Sequence, residues 1–401
     1  MLKRVFRAFR YRDFRLMWLG ACTSTTGTWM QILAQSWLVY QLSNSSLYLG
    51  LDAFFAQIPI FLFSLVGGVY ADRKSRRSLL LASQVIQMVS AFLLAGLDAA
   101  GVVRVWHIWC LSFLTGFAQS FGGPAYSALI PTLVDKEDIP NAIALNSIQF
   151  NLARVLGPAL GGIALSKLGA AWCFSLNGIS FIAVIASLLA IQPQFVPAKT
   201  NESVLASMRE GILFLRKRQG MSSLVALGFL ATLLSYPLIT FLPVMARDVF
   251  HGGSNTFTLF LCVSGIGSIA GALVVAGERQ QTGLAKKSLS MMILLGALMV
   301  GFGVSRNLAL SSVLLLGAGA SLIAVFAFNL SIVQLLVSDT MRGRVMSVYN
   351  AAFRGGMPLG SLLSGFLIRQ SSAPVVMTAN GLAMIILAIG FLTLQRDLAK
   401  L

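Results

Sequence analysis

The chain has 401 residues, of which 57% are hydrophobic and 11% charged, and its mean hydropathy is +0.81. A soluble domain of this size could not bury so many apolar side chains, so the composition excludes an ordinary water-soluble protein and predicts a membrane protein. The net charge of +17 would suit nucleic-acid binding, but the basic residues concentrate in loops between apolar segments, and no nucleic-acid partner is expected.

Twelve apolar segments are long enough to cross a bilayer, whose hydrocarbon core of about 30 Å needs roughly 20 helical residues. Their apolarity is continuous and does not alternate, which predicts helices and not barrel strands. The first six are predicted at residues 16–42, 47–71, 78–100, 106–133, 142–166 and 170–191. The others are predicted at residues 221–246, 256–277, 288–304, 308–337, 345–368 and 374–394.

The basic residues before the first span do not indicate a signal peptide, because the apolar stretch behind them is too long and no small-residue cleavage site follows. The four cysteines lie in different spans without ligand spacing, which predicts small apolar packing residues and no disulfide framework, metal site or cofactor. They are Cys22, Cys110, Cys173 and Cys262.

A long polar interval predicts three parts: a six-helix bundle over residues 1–191, a cytoplasmic linker over 192–220, and a second six-helix bundle over 221–401. One face of the linker is apolar and another basic, which predicts a short helix on the membrane surface. The apolar residues are Val204, Leu205, Met208, Ile212 and Leu215, and the basic ones are Arg209, Arg216, Lys217 and Arg218.

The basic residues also predict the orientation of the chain. A cytoplasmic N-terminus places 23 of the 30 lysines and arginines inside and 5 outside, with Arg154 and Arg354 left within spans. Both termini are therefore predicted to lie in the cytoplasm. The five outer residues are Arg104, Lys167, Arg247, Arg306 and Arg369.

An internal repeat indicates that the two halves arose by duplication. Three residues of the fifth span recur in the eleventh at a constant offset of 200: Ser147, Arg154 and Pro158 match Ser347, Arg354 and Pro358.

Four segments resemble motifs of the major facilitator superfamily. Residues 68–77, GVYADRKSRR, look like its loop signature G-x-L-A-D-R-x-G-R-R, with Tyr70 and Ser75 as departures, and residues 157–162, GPALGG, resemble its antiporter motif. Residues 242–250 and 342–349 are similar to segments of the branch that holds the enterobactin exporter and macrolide efflux proteins. The resemblance implies an all-α integral membrane fold with twelve transmembrane helices in two pseudo-symmetric six-helix bundles, placed in the bacterial cytoplasmic (inner) membrane.

The loop signature suggests a role in gating. Asp72 ends the second span beside Arg73, Arg76 and Arg77. Its carboxylate can accept hydrogen bonds from the N-terminus of a neighbouring helix, while the cations hold the loop at anionic headgroups. The resemblance implies that the neighbour is span 11, which would make a cytoplasmic clasp between the halves. The alternative is that these charged residues only set the orientation of the chain in the membrane.

Small residues mark faces where helices can approach closely and slide. In span 5 these are Gly157, Pro158, Gly161 and Gly162, and similar pairs are Ser64 with Gly68 and Gly267 with Gly271. The functional interpretation is that these faces form interfaces between the two halves and move during transport. The alternative is static packing.

Arg154 and Arg354 lie near the bilayer midplane, where a charge must face protein or a water-filled cavity. A structural or gating role is favoured over attraction of an anionic substrate. For proton coupling the best residue is Asp52, near the outer end of span 2, although solvation at the outer boundary explains it equally well. His107 and His251 are expected to be interfacial.

The resemblance implies that spans 1, 4, 7 and 10 line a central cavity. Their polar and aromatic residues are then candidates for contact with the substrate, with hydrogen bonding between helices as the alternative for each. They are Thr28, Gln31, Gln35, Gln119, Tyr126, Tyr236 and Asn329. Few charges and many aromatic residues suit a largely apolar solute.

These features together predict a monomeric secondary transporter that exports a small, largely apolar molecule, such as a drug, a siderophore-like compound or an acylated metabolite, in exchange for protons. A lipid or lysolipid translocase on the same fold is the main alternative, and a receptor with a transporter fold is another. An enzyme is not expected, because the spans lack clustered Asp, Glu and His.

Overall fold

A computed structural model describes residues 6–191, 210, 212–216, 220–278 and 283–394. Within these ranges the backbone forms helices and short turns, and no strand occurs in them. Twelve long helices follow one another. They are α1 (Arg12–Ser43), α2 (Ser46–Arg73), α3 (Arg76–Ala99), α4 (Val105–Leu129), α5 (Ile139–Leu168), α6 (Ala170–Ala190), α7 (Met221–Thr240), α8 (Ser254–Gly277), α9 (Leu284–Val304), α10 (Leu308–Leu336), α11 (Asp339–Gln370) and α12 (Ala373–Leu394).

Short helical segments extend some of these helices. A 3-10 turn, Arg7–Arg10, precedes α1, and two others, Ile130–Leu133 and Lys136–Asp138, connect α4 to α5. After α7 the chain continues through a helical turn, Leu242–Val244, into a π-helical turn, Met245–Val249. Each of the twelve predicted spans therefore corresponds to one long helix, with or without such an extension.

Charged residues explain where the helices and the predicted spans differ at their ends. The sequence prediction began spans 1, 9 and 11 after basic residues, but α1, α9 and α11 begin four to six residues earlier and include those residues. A helix satisfies its own backbone hydrogen bonds, so it can continue beyond the hydrocarbon core into the headgroup region.

Nine of the long helices in the described residues are apolar enough, by length and composition, to cross a membrane. The other three are α1, α4 and α11, which have 32, 25 and 32 residues and are therefore long enough to span.

The helices form two compact units. The first contains residues 1–43 and 55–201, and the second contains residues 44–54 and 202–401. The boundary cuts α2, because its first nine residues, Ser46 to Phe54, belong to the second unit and the remainder to the first.

In the first unit α1 packs against α5 and α6, and α3 packs against α4 and α6. Glycines permit the close approach of α1 and α5. A Cβ atom added to Gly157 would lie 2.7 Å from the Thr26 carbonyl oxygen, and one added to Gly161 would lie 2.9 Å from Cγ of Met30. The apolar core of this unit includes Phe14 and Met17.

The second unit repeats these pairings, because α7 packs against α11 and α9 packs against α10 and α12. Glycines again permit close approach of α7 and α11: a Cβ atom on Gly360 would lie 2.9 Å from Cα of Leu233. In α8, Gly267 and Gly271 lie against the backbone of α10, as the sequence predicted. In α2 the prediction was wrong by one residue, because Gly67 approaches the Ser120 backbone whereas Gly68 has no atom of a neighbouring helix within 4 Å.

The described part of the linker lies against the second unit. Leu215 is 4% exposed and packs in a core cluster with Met221 and Leu224, whereas Ile212 is 38% exposed. Glu210 forms an ion pair with Arg344 at 2.7 Å. The other linker residues named above, apart from Arg216, lie outside the described residues: Val204, Leu205, Met208, Arg209, Lys217 and Arg218.

Candidate functional site: a polar row in the first unit

A row of hydrogen-bonded polar side chains crosses the first unit from α6 through α1 to α4. Asn177 Nδ2 of α6 donates to Gln31 Oε1 at 2.6 Å, and Gln31 Nε2 donates to Gln35 Oε1 at 3.4 Å. Gln35 Nε2 then donates to Ser112 Oγ of α4 at 2.9 Å. Gln31 and Gln35 are only partly exposed. The sequence prediction named these two glutamines and missed their partners Asn177 and Ser112.

The other predicted residues of the first unit also bond within it. Thr28 Oγ1 donates to the Ser24 carbonyl one turn earlier in α1 at 2.9 Å. Gln119 is exposed, and its Oε1 accepts from Gln87 of α3 at 3.4 Å. Tyr126 donates its hydroxyl proton to Asn146 of α5 at 2.6 Å. The Gln119 and Tyr126 bonds support the alternative that the polar residues join helices, and Gln119 is the most accessible residue of the group.

In the second unit the structure does not bring the predicted residues into one row. Asn329 is 1% exposed, and its Oδ1 accepts from Ser288 of α9 at 3.0 Å. Its amide nitrogen is buried without a hydrogen-bond partner among the described residues. Tyr236 of α7 is half-buried and lies close enough to Arg354 of α11 to interact with it electrostatically.

Arg154 lies against an aromatic side chain of α1. Its guanidinium carbon is 5.6 Å from the ring centroid of Trp29, and the same ring packs edge-on against Phe150 of α5 at 6.3 Å. A cation over an indole face is attracted by the ring quadrupole, most strongly away from water. The contact supports the structural interpretation of Arg154. Trp29 was missed because nothing in the sequence indicates which side chains of α1 face α5.

The antiporter-like motif lies at this seam, where Gly157 faces Trp29 and Thr26, and Gly161 faces Met30. Pro158 and Gly162 are buried beside them. Cys173 of α6 is buried as well and directs its thiol to the Gly161 carbonyl at 3.6 Å, in keeping with a packing role.

Two arginines of the loop signature bind helix ends. Arg76 Nη1 donates to the Ala128 carbonyl of α4 at 2.9 Å, and Arg77 donates to the Leu188 and Leu189 carbonyls of α6 at 2.6 and 2.9 Å. The last carbonyls of a helix lack partners within it and carry partial negative charge, so both contacts are favourable. These two side chains therefore hold the loop against the ends of α4 and α6.

The rest of the loop is more exposed. Asp72 and Arg73 are exposed at the end of α2. Ser75, a departure from the signature glycine, is the N-cap of α3 and accepts from the Ser78 N–H at 3.4 Å. Serine is a favoured N-cap residue, which gives this departure a structural reason.

Asp52 is 6% exposed in the part of α2 that belongs to the second unit. Solvation at the outer boundary therefore does not explain this carboxylate. The neighbouring turn packs against α11: Ser46 Oγ donates to the Gly365 carbonyl at 3.0 Å, and a Cβ atom on Gly50 would lie 2.6 Å from the Ser361 carbonyl oxygen.

Both histidines lie close to helix ends. His107 Nδ1 accepts from the Arg104 N–H at 3.0 Å, and its ring lies 3.8 Å from that of Trp106. His251 has a positive φ of 49° in the turn that follows the π-helical segment.

A buried carboxylate at the start of α5 was missed by the sequence prediction. Asp138 is 1% exposed and forms ion pairs with Arg7 at 2.8 Å and Arg10 at 2.9 Å. The Tyr11 hydroxyl also donates to it at 2.9 Å, and partial burial raises the pKa of Tyr11 above its ordinary value. This cluster ties the segment before α1 to the α4–α5 connection.

Nearly the whole chain matches a known family. The family described as transmembrane secretion effector matches residues 4–400. A nucleoside transporter, NupG, has a crystal structure that superposes with a TM-score of 0.74 at 17% identity, covering 95% of this chain and 98% of that one. At that identity the likeness shows the shared fold alone.

Three curated bacterial proteins are similar over nearly their whole length. The staphyloferrin A transporter of Staphylococcus aureus (strain NCTC 8325 / PS 47) is 26% identical and covers 93% of this chain and 94% of its own. The enterobactin exporter EntS of Shigella boydii serotype 18 is 25% identical, over 96% of this chain and 92% of its own. The multidrug efflux pump Tap of Mycolicibacterium fortuitum is 25% identical, over 95% of each chain.

Proposed function

The chain belongs to the transmembrane secretion effector family of the major facilitator superfamily, and we propose that it exports a small, largely apolar molecule by alternating access. It is a multi-pass membrane transporter and not an enzyme. The observation that carries the proposal is the polar row of the first unit, because it places hydrogen-bonding groups on α1 within otherwise apolar helices. Binding sites for small molecules combine apolar walls with a few such groups.

The substrate class draws on the relatives' names. Two of the three relatives are named for siderophores and one for several drugs. Siderophores and drugs are both small organic solutes, which supports a small-molecule substrate for this chain. No relative reported above is named for a lipid, so the lipid translocase gains no support from the comparisons.

The coupling ion is proposed to be the proton, with Asp52 as the titrating group. Its burial at 6% exposure supports this assignment, because a carboxylate removed from water is the kind of group whose protonation can be coupled to a change of state. Asp72 is proposed to act separately, as the cytoplasmic clasp that stabilises one state. The chain is further proposed to act as a monomer in the cytoplasmic membrane, with both termini in the cytoplasm.

Transport by purified protein in proteoliposomes tests the proposal. We expect counter-gradient movement of a siderophore or of ethidium when a proton gradient is imposed, and none in empty liposomes. We also expect Asp52→Asn to remove the pH dependence of the rate, with Asp98→Asn, a carboxylate of α3, as the matched control. Movement of labelled lipid without movement of either solute would overturn the proposal, and a normal pH profile in Asp52→Asn would overturn the coupling role.

A further inference from the structure

One side of α11 carries only small and polar residues from near its beginning to near its end. Residues that follow one another at intervals of three or four lie on the same side of a helix. This side, hereafter the polar face, contains Gly343, Ser347, Asn350, Arg354, Pro358, Ser361 and Gly365. The exposed apolar residues Leu359, Leu363 and Phe366 lie on the opposite side. The polar face is therefore not the side that α11 turns to lipid.

The polar face is covered in its later half and open in its earlier half, which the predicted orientation places toward the cytoplasm. Ser361 and Gly365 are buried where the start of α2 packs on them, and Ser46 Oγ donates to the Gly365 carbonyl at 3.0 Å. Asn350, by contrast, is exposed. Arg354 is exposed as well, and it lies seven residues before Ser361, roughly 10 Å along the helix axis. The arginine therefore lies close to the point where the cover ends.

The charge of Arg354 indicates what fills the open part. This residue lies near the middle of its predicted span, where a charge exposed to lipid is costly. None of the ion pairs formed within the described ranges includes it, although Tyr236 of α7 lies close enough to interact with it electrostatically. An exposed guanidinium without a carboxylate partner implies that water reaches this part of the polar face.

The counterpart of this arginine in the first unit has different surroundings. Arg154 lies over the ring of Trp29, which packs against Phe150. At the offset of 200 residues, Asn350 takes the place of Phe150. Thr232 takes the place of Trp29, because it meets a glycine of α11 as Trp29 meets a glycine of α5. Both aromatic residues that surround the first arginine are thus polar in the second unit, which leaves the second arginine accessible to a ligand.

We propose that Arg354 and Tyr236 form a binding site for the acidic group of an organic anion, and that the chain exports solutes that combine an apolar body with one such group. A guanidinium presents a planar fork of N–H donors that matches a carboxylate or sulfonate, and a tyrosine hydroxyl can donate beside it. The inference rests on the proposed function, in which a solute of this kind crosses the membrane. It gives Arg354 a role that Arg154 does not share.

Chemical labelling tests whether the polar face is open to water and positively charged. The reporter is Asn350→Cys in a variant without the four native cysteines, purified in detergent without added lipid. The reagents are two methanethiosulfonates, the anionic sulfonatoethyl and the cationic trimethylammonioethyl compound. We expect both to label the reporter. Leu363→Cys, on the opposite side of α11, is the control and should react at least about tenfold more slowly, because a charged reagent does not enter an apolar layer.

The charge of Arg354 should favour the anionic reagent. We expect the ratio of the anionic to the cationic labelling rate at the reporter to fall about tenfold in Arg354→Gln, because the charge one turn away no longer attracts one reagent and repels the other. Arg354→Lys keeps the charge and should keep the ratio.

Naphthalenesulfonate and its neutral sulfonamide are the ligand probes, because they share one apolar ring system and differ in charge. We expect the sulfonate to slow labelling of the reporter when Arg354 is present and to give no protection in Arg354→Gln. The sulfonamide should protect neither protein. In proteoliposomes we expect kcat/KM for export of the sulfonate to fall about tenfold or more in Arg354→Gln, the effect of a lost charged hydrogen bond, and to be largely kept in Arg354→Lys.

Other results overturn the inference in distinguishable ways. If neither reagent labels the reporter, the polar face is closed to water and the inference is wrong. Protection by the sulfonamide, or equal protection by the sulfonate with and without Arg354, would contradict an anion site. The two probes are compared with Arg354 present, so the test stands even if Arg354→Gln does not fold.

Transport and binding can also fail separately. Protection by the sulfonate without its export, in a protein that exports another solute, would refute the substrate class. If no solute is exported but protection still depends on Arg354, the proposed export function is wrong and the anion site stands.

Discussion

Arg154 and Trp29 form a contact that explains why a charge persists within the fifth span. The cation lies 5.6 Å from the ring centroid, and such a contact contributes roughly 2 kcal/mol when it is desolvated. We predict that Arg154→Gln and Trp29→Leu each slow transport of an anionic and a neutral solute equally. The double variant should be no slower than the slower single variant, because both changes break the same contact.

Transport rates of the four proteins in liposomes measure this coupling. If the losses of transport rate in the two single variants add up in the double variant, Arg154 and Trp29 do not act through this contact. A loss confined to the anionic solute would show instead that Arg154 attracts the substrate.

Asp138 is the most deeply buried carboxylate of the N-terminal cluster, with 1% exposure against 83% for the Glu137 side chain. We predict that Asp138→Asn lowers the free energy of unfolding by roughly 1–3 kcal/mol, because two arginines lose their charged acceptor. Glu137→Gln, the matched control beside it, should have an effect within about 0.5 kcal/mol. Denaturant unfolding in detergent makes the comparison, and equal effects of the two substitutions would show that the buried ion pairs do not hold the segment.

The seam between α1 and α5 requires glycine at particular positions. A Cβ atom on Gly161 would lie 2.9 Å from Cγ of Met30, whereas one on Gly390 of α12 would meet no atom of a neighbouring helix within 4 Å. If the seam moves during transport, Gly161→Leu should lower turnover about tenfold or more while the purified protein stays folded. Gly390→Leu should leave turnover near wild type.

Turnover in proteoliposomes and thermal unfolding in detergent are measured on the same preparations. Parallel loss of turnover and folding in Gly161→Leu would show that the seam is static packing.

Helix number and position could be predicted from sequence because a membrane imposes one length and one composition on every span. Helix ends were less predictable, since Arg342 and Arg344 read as loop residues although α11 begins at Asp339. Lateral contacts were harder still. Gly67 and Gly68 are equivalent in sequence, and only the rotation of α2 about its axis decides which one faces α4.

The candidate site shows the same limit. Polar residues of α1 could be named from sequence, because amides are rare in apolar spans. Their partners Asn177 and Ser112 could not, because pairing depends on how α4 and α6 are arranged around α1. The Arg10 and Asp138 pair joins residues far apart in the chain, and nothing in either segment alone indicates the other.

The two units repeat the same helix pairings, α1 with α5 and α7 with α11, which agrees with duplication of an ancestral bundle. The second helix departs from this division, because its first nine residues pack with the second unit while the rest belongs to the first. Alternating access opens a transporter to each side of the membrane in turn, so we expect the start of α2 to separate from α11 where Ser46 and Gly50 contact Gly365 and Ser361.

Reversible cross-linking of this contact tests the central claim most directly. In a variant without the four native cysteines, Ser46→Cys and Gly365→Cys would place two thiols at the point where Ser46 Oγ donates to the Gly365 carbonyl at 3.0 Å. A Cβ atom on Gly365 would lie 2.8 Å from the Ser46 carbonyl oxygen, so the reduced Gly365→Cys single variant sets the reference rate. We predict that the reduced double variant transports at that rate, that oxidation stops transport by the double variant alone, and that reduction restores it. Undiminished transport by the fully cross-linked protein would contradict alternating access in which α2 separates from α11.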